Sequence, residues 1–181
     1  MPLTITIPPR EFYDEKSGRF LNVSKEHKIV LEHSLVSISK WESKWHVPFL
    51  SDKSKTLEQS IDYIKCMTLT QNVDPLVYLC LTNDNFKEIN AYIENPMTAS
   101  SVRDADVKKS REIVTSELIY YWMIANEVPM ECQKWHLNRL LMLIRICSAK
   151  NQANKKMSKG EIMRQNHALN QARRKASGSR G

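Results

Sequence analysis

Apolar and polar residues near the N-terminus follow a two-residue rhythm that later gives way to a helical one, and the change of period locates the first elements. Leu3, Ile5 and Ile7 alternate with Thr4 and Thr6, the pattern of a half-buried strand. Pro8-Pro9 closes it, because proline cannot donate to a ladder. Glu11-Phe12-Tyr13 and Arg19-Phe20-Leu21 flank residues 14–18 (DEKSG), which predicts a hairpin with a glycine turn. From Ser24, read as a helix cap, Leu31, Leu35, Ile38, Trp41 and Trp45 recur at spacings of three and four on one stripe. Thr56 with Gln59 has capping-box spacing ahead of Leu57, Ile61, Ile64 and Leu69. Asp74-Pro75 opens a short helical piece, and Asn83 caps Phe86, Ile89, Tyr92 and Ile93, which stop at Asn95-Pro96.

The densest apolar runs follow a polar approach over residues 97–107. Ile113, Val114, Leu118, Tyr121, Trp122 and Ala125 mark one helix, with Ile119 and Met123 on its flank. Pro129 stands where the first residue of the next belongs, and that helix runs through Trp135, Leu137, Leu140, Leu141, Leu143, Ile144, Ile146 and Cys147. A helix apolar on most of its circumference is expected at the centre of a bundle. The short Glu127-Val128 link predicts an antiparallel helical hairpin. Beyond Asn151 the apolar density collapses. Residues 151–156 read as a hydrophilic linker, and Ser158 with Glu161 has capping-box spacing for one more helix, with a narrow stripe of Ile162, Met163, Ala168, Leu169 and Ala172 among basic residues.

These elements predict a mainly α fold: a helical bundle with a short N-terminal β-ribbon (1–23), a helical body (24–150) and a basic C-terminal tail (151–181) whose helix lies outside the core. Glycine occurs only at 18, 160, 178 and 181. The body therefore has no glycine-rich phosphate loop, and hairpins that need positive φ are disfavoured there. Charge sharpens the division. The formal net charge is +7, yet residues 150–181 alone carry +8, with Glu161 the single acid, which leaves −1 for residues 1–149. The high pI belongs to the tail. Its cations would attract nucleic-acid phosphate or an acidic protein surface, but the tail has no aromatic to stack on bases. A solvated tail, capture of a protein partner and nucleic-acid binding stand in that order, the last least favoured.

Chemistry is sparse. Cys66, Cys80, Cys132 and Cys147 lie in apolar stretches with no C-x-x-C pair, a pattern of core thiols in a reducing compartment. No apolar run is long enough to span a bilayer, and the N-terminus lacks the basic start of a secretory signal. Cys132 and His136 share a helix face, but zinc needs further ligands that no nearby pair supplies, so the expectation is a packed cysteine beside a partly exposed histidine. Cys147 and His136 are about three turns apart and cannot form a nucleophile–base pair. His27, His33, His46 and His167 make no triad pattern, with His33 read as a surface or hydrogen-bonded side chain. Glu112, Glu117 and Glu127 are scattered. The reading is a non-enzyme without metal or cofactor. Trp41, Trp45, Trp122 and Trp135 have core spacing, with Trp45 the most exposed. The partner-binding candidates are Lys155, Lys156, Lys159, Arg164, Arg173 and Arg174, with Trp45.

The least generic runs are residues 31–45 (LEHSLVSISKWESKW) and 111–151, which contains SELIYYWM (116–123) and CQKWHLNRLL (132–141). Together with KKMSK (155–159) and ALNQARR (168–174), they give a chain that resembles the tail assembly chaperones of long-tailed bacterial viruses. The likeness covers roughly residues 20–175. It implies a bacteriophage protein of the host cytoplasm that binds the tape-measure protein and other tail proteins, keeps the tape measure soluble while tail-tube subunits polymerise, and is absent from the finished particle. No residue-level binding motif carries over. Self-association is open, and the alternative is a structural virion protein of the neck, connector or tail.

Overall fold

The structure, a computed structural model, describes residues 1–14, 18–51, 54–100, 112–154 and 159–177. The chain is mainly helical with a small N-terminal β-sheet, and it divides into two compact units, Met1–Ile146 and Cys147–Gly181. Strand β1 (Leu3–Ile7) pairs antiparallel with β4 (His27–Leu31), and β2 (Arg10–Asp14) pairs with β3 (Arg19–Val23) between them. The β1–β4 register sets Ile5 opposite Ile29 and Leu3 opposite Leu31. One face of this pair is core, with Ile5, Ile7, Ile29 and Leu31 buried and Thr4, Thr6 and Lys28 exposed. Pro8 and Pro9 separate the two ladders, since neither has an N–H to continue the pairing. Gly18 takes φ +65° beside the β2–β3 turn.

Strand β4 is the first departure from the periodicity. The stripe beginning at Leu31 had placed a helix from Ser24, but residues 27–31 form a strand, and helix α1 (Leu35–Trp45) is capped by Ser34. Leu31 fits both a two-residue alternation with Ile29 and a four-residue step to Leu35. Pairing with β1, which would otherwise keep an open edge, selects the strand. The Ser34 hydroxyl accepts from the Ser37 amide, and α1 ends at His46 in the left-handed region, φ 53°.

Helix α2 (Leu57–Met67) carries the full Thr56–Gln59 capping box and packs on α1, where the Trp41 indole donates to the Gln59 carbonyl at 2.9 Å. Its exit runs beside β4: the Glu32 amide donates to Met67 O and the Leu69 amide to Val30 O. A 3-10 helix (Pro75–Cys80) follows, capped by Asp74. Helix α3 (Asn83–Glu94) packs on β1, and its cap is Thr82, one residue before the predicted Asn83. Thr82 is preferred because Asn85 reaches back to close a reciprocal box and also donates to Thr6 O.

Helix α4 (Ser116–Ala125) starts after Ile113 and Val114, which precede its Thr115 cap, and it packs on α1. Pro129 does not open the next α-helix. It precedes a 3-10 helix (Met130–Lys134), and α5 (Leu137–Asn154) begins only after His136. The cause is β4–α1: the Leu137 amide donates to His33 O at 2.8 Å, and His136 forms an antiparallel bridge with Ser34. Nor is α5 buried all round. Leu137, Leu140 and Ile144 form its buried stripe, while Leu141, Met142, Leu143 and Ile146 are half-buried. Residues 151–154, read as linker, continue α5. Helix α6 (Lys159–Ser177) lies within the second unit.

Glu42 is buried on α1, with one carboxylate oxygen accepting the Phe49 amide at 2.7 Å and the other the Ser116 amide at 2.8 Å. It thereby joins α1 to the following loop and to the first turn of α4. Replacing it by alanine strands two buried N–H groups, each worth roughly 1–3 kcal/mol. Glu42→Ala is expected to lower unfolding free energy by about 3 kcal/mol, read as a fall in the urea midpoint with the m-value unchanged.

Candidate partner-binding site

Two places concentrate polar chemistry: a buried cluster at the β4–α1 corner, and the exposed basic helix α6. In the first, His33 and His136 are only 2% and 4% exposed, with ring centroids 5.0 Å apart. His33 Nδ1 shares a 2.6 Å hydrogen bond with the Tyr63 hydroxyl. His136 Nδ1 faces the Asn138 amide at 3.3 Å and its Nε2 the Tyr92 carbonyl at 3.0 Å. The Nε2–H tautomer satisfies both, since an amide N–H donates and a carbonyl accepts. The Tyr92 hydroxyl donates to Glu32 Oε1 at 2.8 Å. His136 is thus a packed core residue, not the partly exposed one expected beside Cys132, and both of its ring nitrogens are engaged.

Burial dominates the titration here. It lowers His33 to about 3, with His136 adding to the effect. Burial also lowers His136, against the upward pull of the Tyr92 carbonyl and Glu32. It raises Tyr63 and Tyr92 above the usual phenol range, and Glu32 raises Tyr92 further. The same desolvation raises Cys66, Cys80 and Cys132, which are therefore held as thiols at neutral pH. All four cysteines are free. Among the described residues no group of three or more His, Cys, Asp or Glu side chains could hold a metal ion. A cleft of about 170 Å³ opens beside the cluster, between Glu32, His136, Lys134, Trp135 and Arg139. The Arg139 guanidinium lies 4.3 Å from the Trp135 ring. Small-molecule sites are commonly several hundred Å³, and this cleft is smaller.

The second place holds most of the residues singled out by charge. Arg164, Arg173 and Arg174 are all exposed on α6, as is every side chain from Met163 to Ala176. Lys159 is the first residue of that helix. Lys155 and Lys156, with the predicted cap Ser158, lie outside the described residues. Trp45 is half-buried on α1, in the other unit, and its indole donates to Asp62 Oδ2 at 2.9 Å. Asp62 also binds Lys44. Burial opposes ionisation of that carboxyl, but the hydrogen bonds from Lys44 and Trp45 hold it below its usual range. The polar tip of Trp45 is therefore engaged within the α1–α2 pair, and only part of its ring is left for a partner.

The residues that periodicity had assigned to a helical core include a surface it did not foresee. Tyr121 and Ile124 on α4 are 63% and 68% exposed, and Ile113 just before the helix is 66% exposed. The signal was there in one form, since α4 is apolar on every side and a helix can face α1 with only one. Among the described residues no helix is long and apolar enough to cross a membrane. No protein-family model, curated protein or solved structure matches the chain.

The histidine pair predicts an acid-sensitive fold. The folded chain holds His33 neutral, whereas the unfolded chain takes up a proton below its ordinary value of 6.5. Its contribution is complete above pH 6.5 and is lost as pH falls toward 3. Urea unfolding is expected to show stability dropping by up to about 1.4 kcal/mol per pH unit from His33 in that window, with His136 acting in the same direction. His33→Gln should flatten this slope; an unchanged slope would assign the acid sensitivity elsewhere.

Proposed function

We propose that this chain is a non-catalytic binding protein of the tail assembly chaperone type, a bacteriophage protein that holds the tape-measure protein while the tail tube assembles. The observation that carries the reading is α6: a helix of 19 residues whose side chains from Met163 to Ala176 are all exposed. Most helical stability in proteins comes from packing one face rather than from propensity. An exposed, cationic helix with a narrow apolar stripe is suited to lie along another helix and to meet acidic residues beside it. In this reading the first unit is a helical bundle built on a β-ribbon, and α6 is a basic arm outside its core. Arg164, Arg173 and Arg174 contact the client together with Lys155, Lys156 and Lys159, and the half-buried Trp45 is a secondary contact. The host cytoplasm is where such a client is made.

A structural role in the neck, connector or tail is the second reading, and one feature favours it. Tyr13 and Phe20 form an aromatic pair across β2–β3, ring centroids 5.1 Å apart, with Phe20 70% exposed. A ribbon of this kind could join neighbouring subunits of a ring.

Co-expression with candidate tail proteins separates the readings. Capture of a long helical partner, weakened when residues 151–181 are deleted, is the expected result. Failure to bind any tail protein, combined with firm incorporation into purified particles, would select the structural role. Salt-dependent DNA retention lost with the same deletion would instead select a nucleic-acid-binding regulator.

A further inference from the structure

Helix α4 turns only a narrow stripe to α1. Ile119 and Met123 are fully buried there, while Tyr121, Ile124 and Ala125 are exposed and Leu118 and Trp122 are half-buried. A surface helix ordinarily carries polar residues on its outer side, and a continuous exposed apolar strip marks an interaction site. The segment that carries this strip has one sign of charge. Between residues 112 and 129 the charged residues are Glu112, Glu117 and Glu127, and none is cationic.

Glu127 is the most informative of the three. The Val128 amide donates to Met123 O at 2.8 Å and the Glu127 amide to Ile124 O at 3.1 Å, the paired bonds of a Schellman helix end. The residue between Asn126 and Val128 must then be left-handed, and Glu127 has φ 55°. Glycine relieves that conformation, and a cation suits the negative end of the helix. The chain holds a carboxylate there, against both preferences. Local stability does not explain it, whereas a partner of opposite charge would.

Helix α6 has the converse character. Leu169, Ala172 and Ala176 share one face at helical spacings of three and four, and Arg173 and Lys175 flank that face on its two sides. All five are exposed. We infer that the acidic-rimmed outer face of α4 receives helix α6 of a second copy of this chain. Leu169, Ala172 and Ala176 cover Tyr121 and Ile124, while Arg173 and Lys175 meet Glu117 and Glu127. The contact is heterologous: each copy offers one arm and one face, so copies join in reciprocal pairs or closed rings. This self-association uses the arm that the proposed client would also contact, so such a client competes with it, and it stands whether or not that client is a tail protein.

Sedimentation equilibrium of the full chain, over a wide range of protein and salt concentration, provides the test. The chain should self-associate, and more weakly as salt rises. Glu117→Lys with Glu127→Lys, and separately Arg173→Glu with Lys175→Glu, should each weaken association about tenfold or more. Mixing the two variants should restore it, because one supplies a basic-rimmed face and the other an acidic arm. Glu127→Gly separates binding from folding, since it should raise the melting temperature while weakening association. A chain monomeric at every concentration would overturn the inference. So would self-association that neither charge reversal alters, or that mixing fails to restore.

Discussion

Burial of the polar segment Glu32-His33-Ser34 is the constraint from which the first unit is built. Residues 31–35 are all buried, and polar groups can be taken from water only where hydrogen bonds replace it. Each bond made here places another element. The Glu32 amide takes Met67 O, which sets the exit of α2, and the Glu32 carbonyl accepts the Ser37 hydroxyl in the first turn of α1. The His33 carbonyl accepts the Leu137 amide and so decides where α5 begins. The Glu32 carboxylate takes the Tyr92 hydroxyl from α3. Strand β4 is thus the partner of β1, and the segment that leaves it is the point at which four helices are positioned.

From this corner a row of rings runs through the core. Tyr92 meets His136 at 4.9 Å, His136 meets His33 at 5.0 Å, and His33 meets both Tyr63 and Phe49. Phe49 continues to Trp41 at 5.2 Å, and Trp41 to Trp45 at 6.2 Å. Most of these pairs are tilted or edge-on, the arrangements aromatic quadrupoles favour. Burial disfavours a charge on either imidazole, because little water would solvate it there, and a charge on both would add repulsion across 5.0 Å. The hydrogen bonds that fix their orientation and the burial that keeps them neutral are therefore one arrangement.

How much could be read in advance follows from which interactions are local. The Thr56–Gln59 box, the Asp74 cap and the alternation of Ile5 and Ile7 are properties of neighbouring residues, and they are found where the pattern puts them. The strand at 27–31 was hidden because Leu31 serves two periods, and only β1, more than twenty residues away, decides between them. Pro129 and His136 were misread for the same reason: the bond that breaks the helix comes from His33. Charge is legible without a fold, so the exposed Arg164, Arg173 and Arg174 were accessible from sequence. The outer face of α4 was not, since an apolar residue covered by its own core and one awaiting another molecule look alike in a hydrophobic pattern.

Backbone conformation adds a final distinction. With no glycine between 19 and 159, left-handed turns among the described residues of the body fall to His46, Asn72, Met97 and Glu127. Histidine and asparagine are among the side chains that tolerate this region. Methionine and glutamate gain nothing from it, and such strain persists where the surroundings impose it. Of the two disfavoured residues, Met97 lines the cleft with Trp135 and Arg139, and Glu127 ends α4 next to its exposed apolar strip, where the paired helix-end bonds impose its conformation.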